Sequence, residues 1–419
     1  MSASRFFVPI VALAVLAGCG SGSGGDGTSS PSVATPAYAA ALQTQIPEVM
    51  KQNAIPGAIV LIKSGDQGDW SAVYGTQEIG QEIPMSMDDH FRIGSNTKTM
   101  TVTVILQLVQ EGKLSLDDPI SKFRPDVPNG RKITIAQLAE MRSGLYSYTS
   151  SEAFNRTLDD DPQKVWTPDG LLAIAFKKPP LFPPGSQYDY SNTNLVLLGT
   201  VIEELTGMTA SEAFQQRIFE PLGLTQTSLP EADDAAIPDP HPQGYQFGTN
   251  VEDIDSYAVP PAQLPDALDG TLLPINNTDA NPSWAWTAGG GISTADELAT
   301  YVEAMVGGGL TDAEITKQRL DSIQPIAPGS PVGYGLGLVE FAKNLYGHDG
   351  QIPGFSSFMA YDPVADNTII IGLNLSASPV NGENAAVVIG KVVISELYGA
   401  DAVPGGDPAG AGSASPSGG

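Results

Sequence analysis

The chain has 419 residues, of which 41% are hydrophobic, so it can bury a substantial core in one large or two modest domains. Its 20 basic and 47 acidic residues give a formal net charge of -27, which argues against a nucleic-acid partner because phosphate contacts need clustered Lys and Arg side chains. The single cysteine, Cys19, excludes an intrachain disulfide, and its place near the N-terminus, before the predicted folded part, argues against thiol catalysis and a cysteine metal site.

The N-terminus has the pattern of an export signal followed by a lipid attachment site. Arg5 precedes an apolar stretch over residues 6–16, which is too short to span a bilayer but has the length of a signal-peptide core. The next motif, Leu16-Ala17-Gly18-Cys19, resembles a bacterial lipobox. We therefore expect a lipoprotein signal peptide over residues 1–19, lipidation at Cys19 and a membrane-anchored, extracytoplasmic protein, with plain secretion as the alternative. Residues 20–37, rich in Gly, Ser, Thr and Pro, are expected to form a flexible linker.

Strand patterns lie at both ends of the predicted catalytic domain, residues 38–400. The first part predicts a helix over 38–52 and a strand pair over 57–63 and 70–74. The last part predicts strands over 334–341, 355–361 and 368–375 and helices over 294–305 and 382–398. Because strands come early and late, both chain ends are expected to build one sheet lobe, residues 38–112 and 284–400.

The middle of the chain, residues 113–283, is predicted to be an inserted helical lobe. Its clearest helices cover 135–141 and 195–205, and residues 230–281 predict a long ordered loop or insertion rich in Pro and Asp. The fold class is therefore α/β (α+β), with the active site in the cleft between the two lobes. Residues 401–419 are predicted to be a disordered tail.

The run from Phe91 to Lys98 places a Ser and a Lys three residues apart before an apolar helical run, residues 100–109. On a helix, positions i and i+3 share a face, so the amine of Lys98 would lie within reach of the hydroxyl of Ser95. A nucleophile beside a potential base is the implied arrangement. A lone Ser-x-x-Lys also arises by chance, and its common alternative is a capping Ser followed by a solvated Lys.

Two further motifs accompany the Ser-x-x-Lys motif. Tyr190-Ser191-Asn192 precedes the helix over 195–205, and His348-Asp349-Gly350 lies beside the late strands. Penicillin-recognising enzymes combine Ser-x-x-Lys with Ser-Asp-Asn and Lys-Thr-Gly, whose places Tyr-Ser-Asn and His-Asp-Gly take here. With these motifs the chain resembles the serine hydrolases of the class C β-lactamase and D-alanyl-D-alanine carboxypeptidase (penicillin-binding) family, the carboxypeptidase branch in particular. Further matching segments are Arg142-Ser143-Gly144-Leu145-Tyr146, Ala288-Gly289-Gly290-Gly291-Ile292-Ser293 and Tyr334-Gly335-Leu336-Gly337-Leu338.

The resemblance implies a β-lactamase/transpeptidase-like fold, in which an antiparallel sheet flanked by helices carries an inserted all-helical lobe. It also implies that Ser95 forms an acyl-enzyme and that either Lys98 or Tyr190 is the general base. It assigns substrate-binding roles to Asn192, which would orient Lys98 and the substrate amide, and to His348 at the cleft edge. The remaining expected substrate-binding positions are Asp349, Gly350, where a side chain would block the substrate, and Gln351, whose backbone N–H would bind the oxyanion together with that of Ser95.

Asp349 departs from the family pattern, in which a Thr or Ser helps to receive the substrate's terminal carboxylate. An ionised Asp facing that carboxylate would repel it. The leading prediction is a D-alanyl-D-alanine carboxypeptidase-like, penicillin-binding activity. The alternatives are an esterase, a D-aminopeptidase or a weak class C-type β-lactamase, and, less favoured, a non-catalytic cell-wall-binding lipoprotein.

The expected partners are a small peptide, amide or ester substrate, including a peptidoglycan stem peptide, and a membrane held through Cys19. No cofactor, metal or nucleic acid is expected. The three His residues lack a His-Glu-x-x-His arrangement, which argues against a zinc hydrolase.

Overall fold

The computed structural model describes residues 35–403, so the predicted signal peptide, Cys19 and most of the predicted linker and tail lie outside the described residues. The α-helices are α1 Ala37–Gln52, α2 Thr97–Gln110, α3 Ile135–Ala139, α4 Glu152–Asp160, α5 Pro168–Ala175, α6 Asn192–Thr206, α7 Ala210–Phe214, α8 Glu220–Leu222, α9 Leu264–Asp269, α10 Trp286–Gly289, α11 Ala295–Gly307, α12 Ala313–Asp321 and α13 Ala385–Tyr398. None of the helices in this range combines the length and apolar character that crossing a bilayer requires.

The strands are β1 Gly57–Ser64, β2 Trp70–Gly75, β3 Phe91–Arg92, β4 Tyr245–Gln246, β5 Ile275–Asn276, β6 Ile292–Ser293, β7 Gln324–Pro325, β8 Gly333–Tyr334, β9 Val339–Ala342, β10 Leu345–Ile352, β11 Phe355–Asp362 and β12 Asn367–Leu373. Eight of them form one sheet in the order β2-β1-β12-β11-β10-β9-β8-β7. Every neighbouring pair is antiparallel, and β1 from the start of the chain pairs with β12 from its end. The predicted antiparallel sheet is confirmed.

Helices cover both faces of the central strands. All seven residues of β12 are buried, as are seven of the eight residues of β11. Helix α13 packs on these two strands and on α1, and α11 packs on the same strands and on β1. Because neither face of β12 reaches solvent, apolar residues follow one another in its sequence, as in Ile369-Ile370-Ile371, and do not alternate with polar ones.

The helical part of the chain assembles around α6, which packs against α2, α3, α5, α7 and α10. Helix α2 packs against α6, α7 and α10, and the short turn that precedes it lies against β10 and β11 of the sheet. This arrangement places the beginning of α2, with Ser95 and Lys98, where the two parts of the fold meet.

Two strand predictions differ from the structure. The strand predicted over 334–341 is broken into β8 and β9, because Gly337 adopts a left-handed backbone and an added Cβ would lie 2.5 Å from Val102. Strand β10 was not predicted, since its polar and glycine residues carry no apolar alternation. It forms because its backbone pairs with β9 on one side and β11 on the other.

Candidate active site

The turn that carries Ser95 lies unusually close to β10. Ser95 is the middle residue of a 3-10 turn, Gly94–Asn96, that leads directly into α2. Gly94 has a φ of +51°, and a Cβ added there would lie 2.6 Å from the backbone nitrogen of Gln351. Both the backbone conformation and the space therefore require glycine. As a result, Ser95 and Gln351 lie side by side on the wall of one cleft.

Side-chain hydrogen bonds fix this turn to the sheet. The Asn96 side-chain amide donates to Ser357 Oγ at 2.7 Å, and that hydroxyl donates to the carbonyl of Ile93 at 2.8 Å. Both polar groups are buried, so their pairing avoids the cost of an unsatisfied hydrogen-bonding group. The nucleophile is thus held on a rigid support.

Lys98 is fully buried and points its amine at Ser95. Its Nζ lies 2.9 Å from Ser95 Oγ, 2.7 Å from Asn192 Oδ1 and 2.5 Å from the carbonyl oxygen of Ala288. Burial lowers the pKa of Lys98 well below its ordinary value, and the negative charge of Asp349 partly opposes this by raising it. The predicted Ser-Lys contact is present in the structure.

The three neighbours of Nζ suit a neutral amine. A neutral lysine has two N–H donors and one lone pair. In the structure Nζ is placed as the donor to all three oxygens. When the amine is neutral, Asn192 and Ala288 accept its two N–H donors and its lone pair faces the hydroxyl of Ser95. Lys98 can therefore act as the base that takes the serine proton.

Tyr190 lies beside Ser95 and Lys98. It precedes α6, and the centre of its ring lies 4.8 Å from Lys98 Nζ. Its hydroxyl is buried and meets no partner of good hydrogen-bond geometry among the described residues. Burial raises the pKa of Tyr190 well above 10.0, although the adjacent Ser95 hydroxyl acts to lower it. The phenol therefore stays protonated at neutral pH and suits a proton donor better than a base.

Two residues that sequence reasoning missed orient Asn192. Its backbone N–H donates to Ser147 Oγ at 3.2 Å, and its side-chain amide donates to Thr149 Oγ1 at 3.2 Å. The carbonyl of Ala288 was missed as well, because a backbone acceptor leaves no signal in side-chain composition. The segment Ala288-Gly289-Gly290-Gly291 was noticed in the sequence only as part of the resemblance.

His348 was expected at the cleft edge and lies elsewhere. It is fully buried, with Nε2 3.2 Å from the hydroxyl of Tyr334 and its ring centre 6.2 Å from that of Tyr190. Burial and then the charge of Lys98 lower its pKa to about 3. His348 is therefore neutral at physiological pH and packs behind Tyr190 without lining the cleft.

Asp349 and Gly350 also lie off the cleft wall. Asp349 is opposite Phe358 in the β10–β11 ladder, and its carboxylate accepts a hydrogen bond of 3.1 Å from Asn384, which caps α13. The expected repulsion between Asp349 and a bound carboxylate is thus not supported by its position. At Gly350 an added Cβ would lie 2.0 Å from the carbonyl oxygen of Ile93. Glycine is needed there for the packing of β10 and not for access of the substrate.

The cleft beside Ser95 has a volume of about 810 Å³, and the charged side chains in its lining are all acidic. Among the described residues, its lining contains no Lys, Arg or His, whereas Asp253, Asp255 and Glu383 contribute three carboxyl groups. Aromatic and hydroxyl-bearing side chains supply much of the remaining wall, namely Tyr146, Phe154, Tyr257, Trp284, Ser147, Thr149, Ser150, Ser256 and Ser376. Residues 35–403 hold no group of three or more His, Cys, Asp or Glu side chains that could bind a metal ion.

Comparison with known proteins identifies several relatives. The family model described as Beta-lactamase matches residues 42–393. The D-stereospecific amidohydrolase from Streptomyces sp. is similar with 32% sequence identity and a TM-score of 0.72, over 87% of this chain and 99% of that one. D-amino acid amidase from Ochrobactrum anthropi SV3, complexed with D-phenylalanine, is similar with 26% identity and a TM-score of 0.69, over 86% of this chain and 99% of that one.

Among curated proteins, Protein flp of Staphylococcus aureus (strain COL) is 25% identical over 348 residues. The match covers 80% of this chain and 63% of flp, so the chain spans less than two thirds of the length of this curated relative.

Proposed function

Because the chain belongs to the beta-lactamase family of serine hydrolases, we propose that it is a D-amino acid amidase or D-aminopeptidase. Its substrates are small amides or peptides whose acyl residue has the D configuration and a free amino group. The observation that carries this proposal is the composition of the cleft lining, which holds three carboxyl groups, one of them paired with Lys391, and, among the described residues, no cationic side chain. The similarity to a D-stereospecific amidohydrolase and a D-amino acid amidase supports it.

The lack of a cationic side chain in the described cleft lining favours this activity over the D-alanyl-D-alanine carboxypeptidase activity predicted from the sequence. A carboxypeptidase substrate ends in a carboxylate, which needs a cation or several hydrogen-bond donors to compensate for its loss of water. Among the described residues, the cleft lining offers no Lys, Arg or His side chain to that carboxylate. A substrate that carries an ammonium group would instead be attracted by the carboxyl groups of the cleft.

The buried group around Ser95 supplies the steps of acyl transfer. Neutral Lys98 takes the proton of Ser95 as Oγ attacks the substrate carbonyl, and the backbone N–H groups of Ser95 and Gln351 stabilise the oxyanion. Protonated Tyr190 then donates to the leaving amine and is reprotonated from Lys98. Water attacks the acyl-enzyme in the second half of the reaction and releases the acid.

A substrate panel tests this proposal. Purified protein is assayed with D-phenylalanine amide, L-phenylalanine amide and an N-acylated D-Ala-D-Ala peptide, and kcat/KM is compared. We expect the D-amide to be preferred over both of the others. A preference for the D-Ala-D-Ala peptide would contradict the proposal and restore the carboxypeptidase assignment.

Covalent labelling of the purified protein tests whether Ser95 is the nucleophile. A fluorophosphonate probe should label the wild-type protein and the Ser71→Ala variant, in which an exposed serine of β2 is changed, but not Ser95→Ala. Labelling that persists in Ser95→Ala would contradict the assignment of the nucleophile.

We further propose that the enzyme works outside the cytoplasm on a lipid anchor at Cys19. The apolar stretch over residues 6–16 and the lipobox-like Leu16-Ala17-Gly18-Cys19 support this location. A diacylated or triacylated cysteine would bind the membrane firmly, whereas one acyl chain binds only weakly.

A further inference from the structure

One carboxyl group of the cleft is both buried and uncompensated. Asp253 is 8% exposed and lines the cleft that contains Ser95. No hydrogen bond or ion pair to its side chain is found among residues 35–403. Burial, followed by the negative charges of its neighbours Asp159 and Glu252, raises the pKa of Asp253 to about 8. A buried carboxyl group without a partner is costly, and such groups are normally paired or hydrogen-bonded.

The segment that carries Asp253 is firmly held. The carboxylate of Asp159 in α4 accepts hydrogen bonds from the backbone N–H groups of Asn250 and Val251, at 2.8 and 3.1 Å. The backbone N–H of Asp253 donates to the carbonyl of Thr249 at 3.0 Å. Asp253 is therefore fixed by its backbone while its carboxyl group stays available to the cleft. This arrangement is typical of a preformed binding group.

Apolar side chains line the same cleft. Phe154 and Leu158 belong to α4, the helix to which the Asp253 segment is tied, and the ring of Phe154 lies 5.9 Å from that of Trp284. An aromatic wall and one buried acid suit a ligand with an apolar body and a cationic end, because Trp and Phe faces also attract cations. A purely apolar ligand would leave the carboxyl group unsatisfied, and an anionic ligand would oppose its ionisation.

We propose that Asp253 binds a primary ammonium group of the substrate and thereby selects amine-bearing substrates for Ser95. The ammonium group is either the α-ammonium of the acyl residue or the end of a basic side chain, since both present the same chemistry. This inference rests on the proposed amidase function, of which it names the specificity-determining residue. When the ammonium group binds, the carboxyl group releases its proton to solvent and forms a charge-assisted hydrogen bond.

The first experiment measures selectivity with three amides. D-Phenylalanine amide has only the α-ammonium, N-acetyl-D-lysine amide only the side-chain ammonium, and N-acetyl-D-phenylalanine amide has neither. In Asp253→Asn, the kcat/KM ratio of one ammonium substrate to the doubly neutral amide should fall by about tenfold or more. The substrate whose ratio falls identifies the source of the ammonium group.

The matched control is Asp266→Asn, which makes the same chemical change at an exposed position of α9 outside the cleft. Its selectivity ratios should equal those of the wild-type protein. Unchanged ratios in Asp253→Asn, or equal changes in both variants, would overturn the inference.

A second experiment does not depend on turnover. Calorimetry compares the binding of phenethylammonium with that of 2-phenylethanol, a neutral molecule of similar size. The wild-type protein should prefer the ammonium compound by about tenfold or more, and Asp253→Asn should lose this preference. Absence of the preference in the wild-type protein overturns the ammonium subsite. Absence of amide turnover with the preference intact would overturn the proposed function instead.

Discussion

Lys98 Nζ and Ser95 Oγ lie 2.9 Å apart, on a fully buried lysine and a nearly buried serine. Burial lowers the pKa of the amine well below 10.5, so Lys98 is more readily neutral, and able to accept the proton of Ser95, than a lysine in water. The pH dependence of kcat/KM should therefore depend on the pKa of Lys98.

The first prediction concerns Asp349→Asn and the acidic limb of the pH–rate profile. Below its pKa, Lys98 is protonated and cannot accept a proton, so kcat/KM rises as the pH rises through that pKa. The charge of Asp349 raises the pKa of Lys98. Its removal lowers this pKa, and the acidic limb should move to lower pH. The profile is measured with an uncharged ester.

The control for this measurement is Asp66→Asn, since Asp66 is exposed and solvent screens its charge. Its profile should coincide with that of the wild-type protein. A limb that stays in place or moves to higher pH in Asp349→Asn would show that Lys98 is not the group that titrates.

The second prediction assigns leaving-group protonation to Tyr190. Because burial keeps its phenol protonated, Tyr190→Phe should lower kcat for amides by about a hundredfold. Hydrolysis of a p-nitrophenyl ester should fall much less, because p-nitrophenolate leaves without a proton. The ratio of the two rates is compared with that of Tyr146→Phe, which alters another tyrosine of the cleft. Equal losses for amide and ester would contradict this role.

The third prediction tests the close approach of Gly94 to Gln351. Gly94→Ala should lower kcat by about a hundredfold or more, because the new methyl group would displace one donor of the oxyanion hole. Gly80→Ala is the matched control, since Gly80 also has a positive φ but an added Cβ meets nothing within 4 Å. Gly80→Ala should lose about 1 kcal/mol of unfolding free energy, and Gly94→Ala should lose more because its methyl group also meets the backbone of Gln351, as measured by denaturant titration.

Only Gly94→Ala should lose activity. If Gly80→Ala loses activity equally, the effect of Gly94→Ala would be a general loss of stability and not a displaced oxyanion donor.

The fourth prediction concerns Cys19. Full-length protein expressed in a bacterium that processes lipoproteins should appear in the membrane fraction, and Cys19→Ala should move it to the soluble fraction. Fractionation followed by immunoblotting measures the distribution. An unchanged distribution would exclude lipidation at Cys19 as the means of attachment.

The sequence by itself determined the features that depend on local spacing. Ser95 and Lys98 are three residues apart where helix α2 begins, and this periodicity alone brings the amine to the hydroxyl. The apolar runs of β1 and β12 likewise mark buried central strands, because consecutive apolar residues fit a sheet that is covered on both faces.

Only the tertiary structure decided which groups face the cleft. The sequence predicts that Asp349 places a negative charge beside the substrate. In the structure, the register of β10 with β11 instead directs its carboxylate towards Asn384. Asp253 lies in a segment without periodicity, and its role depends on a fold that brings α4 and the Ser95 turn to one cleft. Strand register and long-range packing set the side on which a side chain lies. Register and packing depend on contacts between residues that are far apart in the chain, and the local spacing of residues does not predict these contacts.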